Sequence, residues 1–328
     1  MQEIIIKDNE AGQRFDKFLF KYFKEASAGF IYKMLRKKNI ILNGSKSNGK
    51  EKLNPGDHVK IFMADETIEK FRGMAVDTVW PLTPHSLEIL YEDADVLIVN
   101  KPSGMLSQKA EPKDISLNEY IISYLLESGQ FYKEELRTFK PSICNRLDRN
   151  TSGLIVAGKS LKGLQEMSEM FRDRTMDKYY LAIVYGKLTK KQNIKGYLAK
   201  DKQTNKVTVC GQKKEDARYI ETAYEPLATG KEITLLKVKL ITGRTHQIRA
   251  HLASIGHGII GDFKYGNKEI NEWYRTKYGL KDQLLHGWKI KFPKMEGAGS
   301  QLSEREITAP PPEIFDIIIR EHLERGQV

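Results

Sequence analysis

The sequence predicts an α+β protein: a small basic unit of helices with a short β-ribbon, then a larger unit on a central, mostly antiparallel mixed sheet flanked by helices. Three observations carry this reading. Phe15, Phe18, Leu19, Tyr22 and Phe23 recur at helical spacing near the start. Tight-turn pairs such as Asn43-Gly44 then separate short apolar runs. From about residue 86, strand-like runs follow one another through short links, which favours antiparallel neighbours over crossovers.

The elements follow in order. After the first helix, Ser27 is placed to cap a second, with Ile31, Met34 and Leu35 facing inward. Ile40-Ile41-Leu42 reads as a strand, Asn54-Pro55-Gly56-Asp57 as a turn, and His58–Phe62 as an alternating strand. These define a unit over residues 1–64. Residues 65–85, with mixed charge, Gly73, Pro81 and Pro84, read as a linker with little core of its own. The second unit, residues 86–328, opens with a strand, an acidic turn, a strand and the turn Lys101-Pro102-Ser103-Gly104. Leu154–Ala157 is a strand and Leu161–Arg172 a helix. "KYYLAIVYGKL" and "ITLLKVKLITG" are strands, Thr245–Ile255 is a helix closed by Gly256, and "LLHGWKIKF" is a further strand. Pro312–Leu323 reads as a final helix with proline near its start.

Composition narrows the function classes. The chain has 328 residues, 40% of them hydrophobic, enough for one large and one small core. No stretch approaches a membrane span, and the start, with Glu3 and no long apolar run, does not read as a signal peptide. Two cysteines, Cys144 and Cys210, make neither a metal spacing nor a disulfide framework, so a cytoplasmic protein is expected. The net charge of +11 favours a polyanionic partner. Its distribution is sharper: residues 12–40 hold eight bases (Arg14, Lys17, Lys21, Lys24, Lys33, Arg36, Lys37, Lys38) against two acids. A solvated helix face mixes both signs, so this stretch points to phosphate contact.

The candidate chemistry begins at "NRLDRNTSGLIVAGKS". Asp148 stands between Arg146 and Arg149 at the mouth of an apolar strand. Opposite charge favours the carboxylate's ionised form, which suits a nucleophile or general base. In an extended segment Arg146 and Asp148 share one face and Arg149 takes the other. Spacing alone leaves a structural ion pair equally open. In "TGRTHQIRAHLASIGHGIIGDFKYG", Thr245 and Arg249 fall on one helical face, with Ile248, Leu252 and Ile255 as the buried stripe. His246 and His251 are five apart with no acid between them, the wrong spacing for a zinc helix, so no metal is expected. Tyr179 and Tyr180 face opposite sides of one strand; either packing or base stacking is open to them. There is no P-loop, dinucleotide fingerprint or nucleophile elbow, so the lone carboxylate stands without a cofactor motif.

The basic N-terminal unit resembles the αL RNA-binding domain of the ribosomal-protein-S-four kind, through "RFDKFL", "IYKMLR", "ILNG" and "LNPGD". That resemblance implies RNA contact through Arg14, Lys17, Lys33, Arg36, Lys37 and Lys38. The rest resembles the Rlu-type pseudouridine synthases of large-subunit ribosomal RNA. The resemblance rests on "LYEDADVLIVNKPSGMLSQ", "NRLDRNTSGLIVAGKS", "KYYLAIVYG", "TGRTHQIRAHLASIGHGIIGDFKYG", "LLHGWKIKF" and the Ala309–Pro312 tail, in that order. It implies the pseudouridine synthase fold and isomerisation of uridine to pseudouridine in RNA, without cofactor or metal, by a monomer. It also implies roles: Asp148 as nucleophile or base, Arg249 as its basic partner, Tyr180 as the stacking tyrosine, Arg146 as the filler of the gap left by a flipped nucleotide, and Ile248 as packing beneath. The family's usual His before Arg-Leu-Asp is here Asn145, which cannot titrate.

Overall fold

The computed structural model describes residues 1–73, 87–201, 206–213 and 215–323. The N-terminal unit runs β1 (Gln2–Ile5), α1 (Phe15–Tyr22), α2 (Ala28–Arg36), β2 (Ile40–Leu42), β3 (Ser45–Lys46), β4 (His58–Ile61) and α3 (Asp65–Arg72). Ser27 caps α2 as expected, its side chain accepting from the Phe30 amide. Asn43 and Gly44 both take positive φ, 49° and 76°, which a tight two-residue hairpin turn between β2 and β3 requires. The four strands pair in the order β1-β4-β2-β3. Phe15, Phe18, Leu19, Phe23, Ile31 and Leu35 pack on Ile40, Val59 and Ile61 as a core of their own.

The stretch expected to be linker opens instead as helix α3. Ile68 is buried in the N-terminal core, and the Phe71 ring lies 4.2 Å from that of Phe30. Acids in its first turn and bases in its last suit the helix dipole. The mixed charge that suggested a linker is the solvated side of a helix with one narrow apolar stripe. The rest of that stretch, from residue 74 on, lies outside the described residues.

The larger unit contains β5 (Glu88–Glu92), β6 (Val96–Lys101), α4 (Leu117–Glu127), β7 (Ser142–Ile143), β8 (Ser152–Gly158), α5 (Leu161–Asp173), β9 (Asp177–Tyr185), β10 (Gln192–Lys200), β11 (Val207–Cys210), β12 (Arg218–Thr229), β13 (Ile233–Leu240), α6 (Gln247–Ser254), α7 (Lys268–Tyr278), β14 (Leu285–Lys291), β15 (Glu306–Thr308) and α8 (Glu313–His322). Its strands form one sheet, ordered β11-β10-β12-β13-β9-β14-β8-β6-β5, with β15 on β14 and β7 on β8. The one parallel pairing among the described strands is β14 with β8. The expected mostly antiparallel mixed sheet flanked by helices is what forms.

Period-2 geometry explains the continuous apolar runs in β6 and β8. Leu97, Val99, Ile155 and Ala157 face α4, while Val96, Ile98, Leu154 and Val156 face Met167 of α5. Both faces are covered, and each large side chain so buried contributes about 1.5–3 kcal/mol. A second core lies around β9 and β13, where α6, α7 and α8 pack through Leu252, Tyr274 and Phe315. β14 sits between β8 and β9 and joins the two regions. At its start, a Cβ on Gly153 would lie 2.3 Å from the Gly287 carbonyl oxygen, so β8 and β14 can meet there only with glycine.

Candidate active site

The turn between β7 and β8 carries Asp148, and neighbouring groups fix its backbone from several sides. The Ser107 hydroxyl donates to the Leu147 carbonyl at 2.8 Å and accepts from the Leu147 amide at 3.1 Å. The Lys101 ammonium is fully buried and donates to the carbonyls of Pro102, Met105 and Arg149 at 2.8, 2.9 and 3.1 Å. Three acceptors match its three N–H groups. Burial pulls the Lys101 pKa down to about 7, against the charges of Asp148 and Asp282. Thr151 N–H donates to the Asp148 carbonyl, closing the turn, and Gln283 donates to the Thr151 hydroxyl.

Asn145 has a defined task. Its amide nitrogen donates to the Leu154 carbonyl at 3.1 Å and its oxygen accepts from the Val156 amide at 2.8 Å. The side chain thus mimics a strand residue along β8, and both its polar ends are occupied there.

The partner of Asp148 comes from 101 residues away: Arg249 Nη1 donates to Asp148 Oδ2 at 2.7 Å. The expectation that Arg146 and Arg149 hold the acid is corrected by the turn itself. It sends Arg149 to the Gly104 carbonyl, at 3.0 Å from Nε, and leaves Arg146 exposed on the cleft rim. Arg249 is buried and grips Asp262 with its other two nitrogens, Nε to Oδ2 at 2.7 Å and Nη2 to Oδ1 at 2.9 Å. Asp262 is fully buried and also accepts from the Lys264 and Tyr265 amides. Burial opposes the charge on Arg249, but the hydrogen bonds and charges of Asp262 and Asp148 outweigh it and raise its pKa. One guanidinium therefore bridges a buried carboxylate and one that opens on the cleft, Asp148 being 26% exposed.

Helix α6 begins at Gln247, later than the expected Thr245. His246 precedes it with φ of 53°, so Thr245 lies before the helix and shares no helical face with Arg249. That left-handed residue brings His246 Nδ1 to 2.9 Å from the Tyr265 hydroxyl and Nε2 to 3.8 Å from Asp148. Burial lowers the His246 pKa; Asp148 opposes this and Arg249 reinforces it. The other two histidines turn elsewhere, His251 to the Thr222 hydroxyl and His257 to the Tyr185 carbonyl. Among the described residues no group of three His, Cys, Asp or Glu side chains could hold a metal ion.

These groups line a cleft of about 770 Å³. Tyr180 forms part of its wall and packs on both large cores, and Ile248 is buried in its floor. Burial and the Asp148 charge raise the Tyr180 pKa, so the phenol keeps its proton. Nine Lys and Arg side chains line the cleft against one acid, Asp148. The structure thus brings Arg146, Asp148, Tyr180, Ile248 and Arg249 to one place. Far from it in sequence, Lys17, Lys33, Arg36, Lys37 and Lys38 are exposed on α1 and at the end of α2. Arg14 differs, its guanidinium engaged by the buried Asp16 at 2.5 and 3.1 Å. Sequence reading missed Asp262, Lys101 and Tyr265. A second lone acid, in "GDFKYG" after the apolar pair Ile259-Ile260, was the available signal for the first.

The RNA pseudouridylate synthase family model matches residues 95–254, which include Asp148, Tyr180 and Arg249. The chain is 32% identical over 300 residues to a "Ribosomal large subunit pseudouridine synthase C" of Pasteurella multocida, covering 88% of this chain and 85% of that one. The protein of the same name from Buchnera aphidicola is 30% identical, over 96% of this chain and 95% of its own. The chain belongs to the RNA pseudouridylate synthase family. The fold agrees: the solved structure titled "Human RNA Pseudouridylate Synthase Domain Containing 4" matches with a TM-score of 0.57 at 20% identity, covering 71% of this chain and 92% of that one. The synthase is therefore an isomerase that acts on RNA, converting uridine to pseudouridine. Among the described residues, no helix of the synthase is long and apolar enough to cross a membrane.

Proposed function

We propose that this synthase modifies large-subunit ribosomal RNA, with Asp148 as the group that attacks or deprotonates a flipped-out uridine. The observation that carries this is the Asp148–Arg249 pair, 2.7 Å apart, at the floor of a cleft lined by nine cations and Tyr180. A stacked base hides its glycosidic bond, so the uridine must leave the helix to reach a carboxylate at the cleft floor. Tyr180 offers the base an aromatic face, and its protonated phenol adds no second negative charge. Arg146, exposed and with no ion pair among the described residues, occupies the space the nucleotide vacates. Ile248 supports the ring from below. Arg249 orients Asp148 and keeps a positive charge beside it through both halves of the reaction. In the first half the bond from the sugar carbon to ring nitrogen breaks; in the second a bond to ring carbon 5 forms and that carbon loses its hydrogen.

The N-terminal unit supplies a second grip. Lys17, Lys33, Arg36, Lys37 and Lys38 are solvent-exposed, as phosphate-binding side chains must be. In this reading residues 1–64, extended by α3, form an RNA-binding unit of a monomeric cytoplasmic enzyme. Asn145, spent on β8, takes no part in proton transfer. The test is release of label from ribosomal RNA tritiated at uracil carbon 5. Release from large-subunit fragments is expected; release only from transfer RNA would overturn the ribosomal assignment, and no release from any RNA would overturn the catalytic one.

A further inference from the structure

Two cations on the cleft wall have no ion-pair partner among the described residues. Lys178 stands two residues before Tyr180 on β9, so both side chains project from the same face, about 7 Å apart along the strand. Both line the cleft. Lys178 is partly buried, with its ammonium 5.6 Å from the centre of the Phe171 ring. Among the described residues no carboxylate lies within ion-pair distance of it. The neighbouring acid, Asp177, points to the other side of the sheet and pairs with Lys239 at 2.8 Å. The remaining nearby charge is of the same sign: Arg174 is close enough to repel Lys178, and it too lines the cleft without an acidic partner among the described residues. Arg174 ends α5 in the left-handed conformation, φ 59° and ψ 36°, uncommon for a residue other than glycine. Arg172, beside it, is already satisfied by Glu169 and Asp173.

Burial and the Arg174 charge lower the Lys178 pKa, and the charge of Asp177 opposes them only in part. Two neighbouring cations, one partly desolvated on an aromatic ring, repel each other, and an anion between them turns that repulsion into attraction. The anion must reach a point one strand repeat from the tyrosine proposed to stack on the target base.

We propose that Lys178 and Arg174, backed by Phe171, form a phosphate subsite that holds the RNA backbone beside the flipped uridine. This rests on the reading of the cleft as the uridine site. The subsite grips a phosphodiester already present in the ground state, so it acts on binding and leaves the chemical step alone. A phosphate is shared by every sequence, so it adds no base preference.

The experiment measures RNA affinity across a salt series, and single-turnover label release at saturating RNA, for the full-length protein. Lys178→Met is expected to weaken binding about tenfold and to flatten the log affinity against log salt slope by about 0.7, one single-strand phosphate contact. Its single-turnover rate should stay within about threefold of wild type. Lys178→Arg should restore affinity and slope. Arg174→Gln, at an exposed position that tolerates change, should move affinity and slope in the same direction by less. Wild-type affinity and slope in both Lys178→Met and Arg174→Gln would overturn the subsite. So would an unchanged slope with a collapsed single-turnover rate, the signature of a packing role behind Tyr180. The wild-type rate is read separately: no label release would sink the isomerase assignment of the cleft, while the salt slopes would still report on the subsite.

Discussion

Tyr179 and Tyr180 are neighbours on β9, yet they face two different environments. Behind the sheet, the Tyr179 ring lies between Lys237 and Lys239, at 5.4 and 5.7 Å. Three lysines of that face have acids: Lys237 meets Glu225, Lys239 meets Asp177, and Lys289 meets Glu306. On the Tyr180 face, six of the nine cleft cations have no acid within 4.0 Å among the described residues. Both faces are rich in basic side chains and aromatic rings, and a count of cations alone does not tell them apart. What separates them is whether the cations are already neutralised. An RNA phosphate gains little from a lysine that must first give up a carboxylate.

The largest effect is expected at Asp148. Asp148→Asn should lower label release by at least about 10²–10⁴-fold while RNA affinity changes little. Near-normal turnover would show that the acid of the open face is not the reacting one. Next is Arg249→Met, which leaves Asp262 buried without its cation. It should destabilise the fold by about 3–5 kcal/mol in urea titration. Adding Asp262→Asn to that variant should recover part of the loss, because the stranded charge is gone.

A third effect is expected at β14, the strand between β8 and β9. Burial lowers the pKa of His286 on β14 to about 4, opposed by its bond to the Ala309 carbonyl. The unfolded chain, with a pKa near 6.5, binds the proton first as the pH falls. Stability is therefore complete above about pH 6.5 and declines toward pH 4, by about 2 kcal/mol at pH 5. Thermal unfolding at the two pH values should show this loss, and His286→Gln should remove it. The smallest effect compares the faces directly. Arg146→Ala should weaken RNA binding about three- to tenfold, whereas Lys239→Ala should change it less than twofold. Equal losses would erase the distinction.

Much of this architecture was legible from patterns of short range. The run Val96–Val99 reads as a strand because both sheet faces bury it, and Ser27 reads as a cap because its hydroxyl is three residues from the amide it serves. The rest depends on weak local signals or on non-local contacts. Ser116 and Glu119 form a capping box for α4, a signal of short range that the sequence does carry. β12 carries Pro226, at a bulge, where a proline argues against a strand. α7 buries only Asn271 and Tyr274, too little to mark a helix by its stripe. At the site, the flanking arginines looked like the natural partners of Asp148 because sequence shows neighbours. The resemblance pointed to Arg249, but nothing in the spacing reveals a side chain 101 residues away, nor that Asp262 holds it from behind.

The position of β14 bears on how the enzyme comes into being. Asp148 belongs to the half of the sheet built from β5, β6 and β8; Tyr180 and Arg249 belong to the half built from β9 through β13 and α6. β14, late in the chain, is the seam between them, parallel to β8 and antiparallel to β9. A nascent chain that stops before residue 285 holds Asp148, Tyr180 and Arg249 but lacks the strand that pairs with both halves, and is expected to be inactive. A proteolytic nick between α7 and β14 would be tolerated if the C-terminal piece stayed docked, and that piece, added back to the truncated chain, should restore turnover without contributing a reactive side chain.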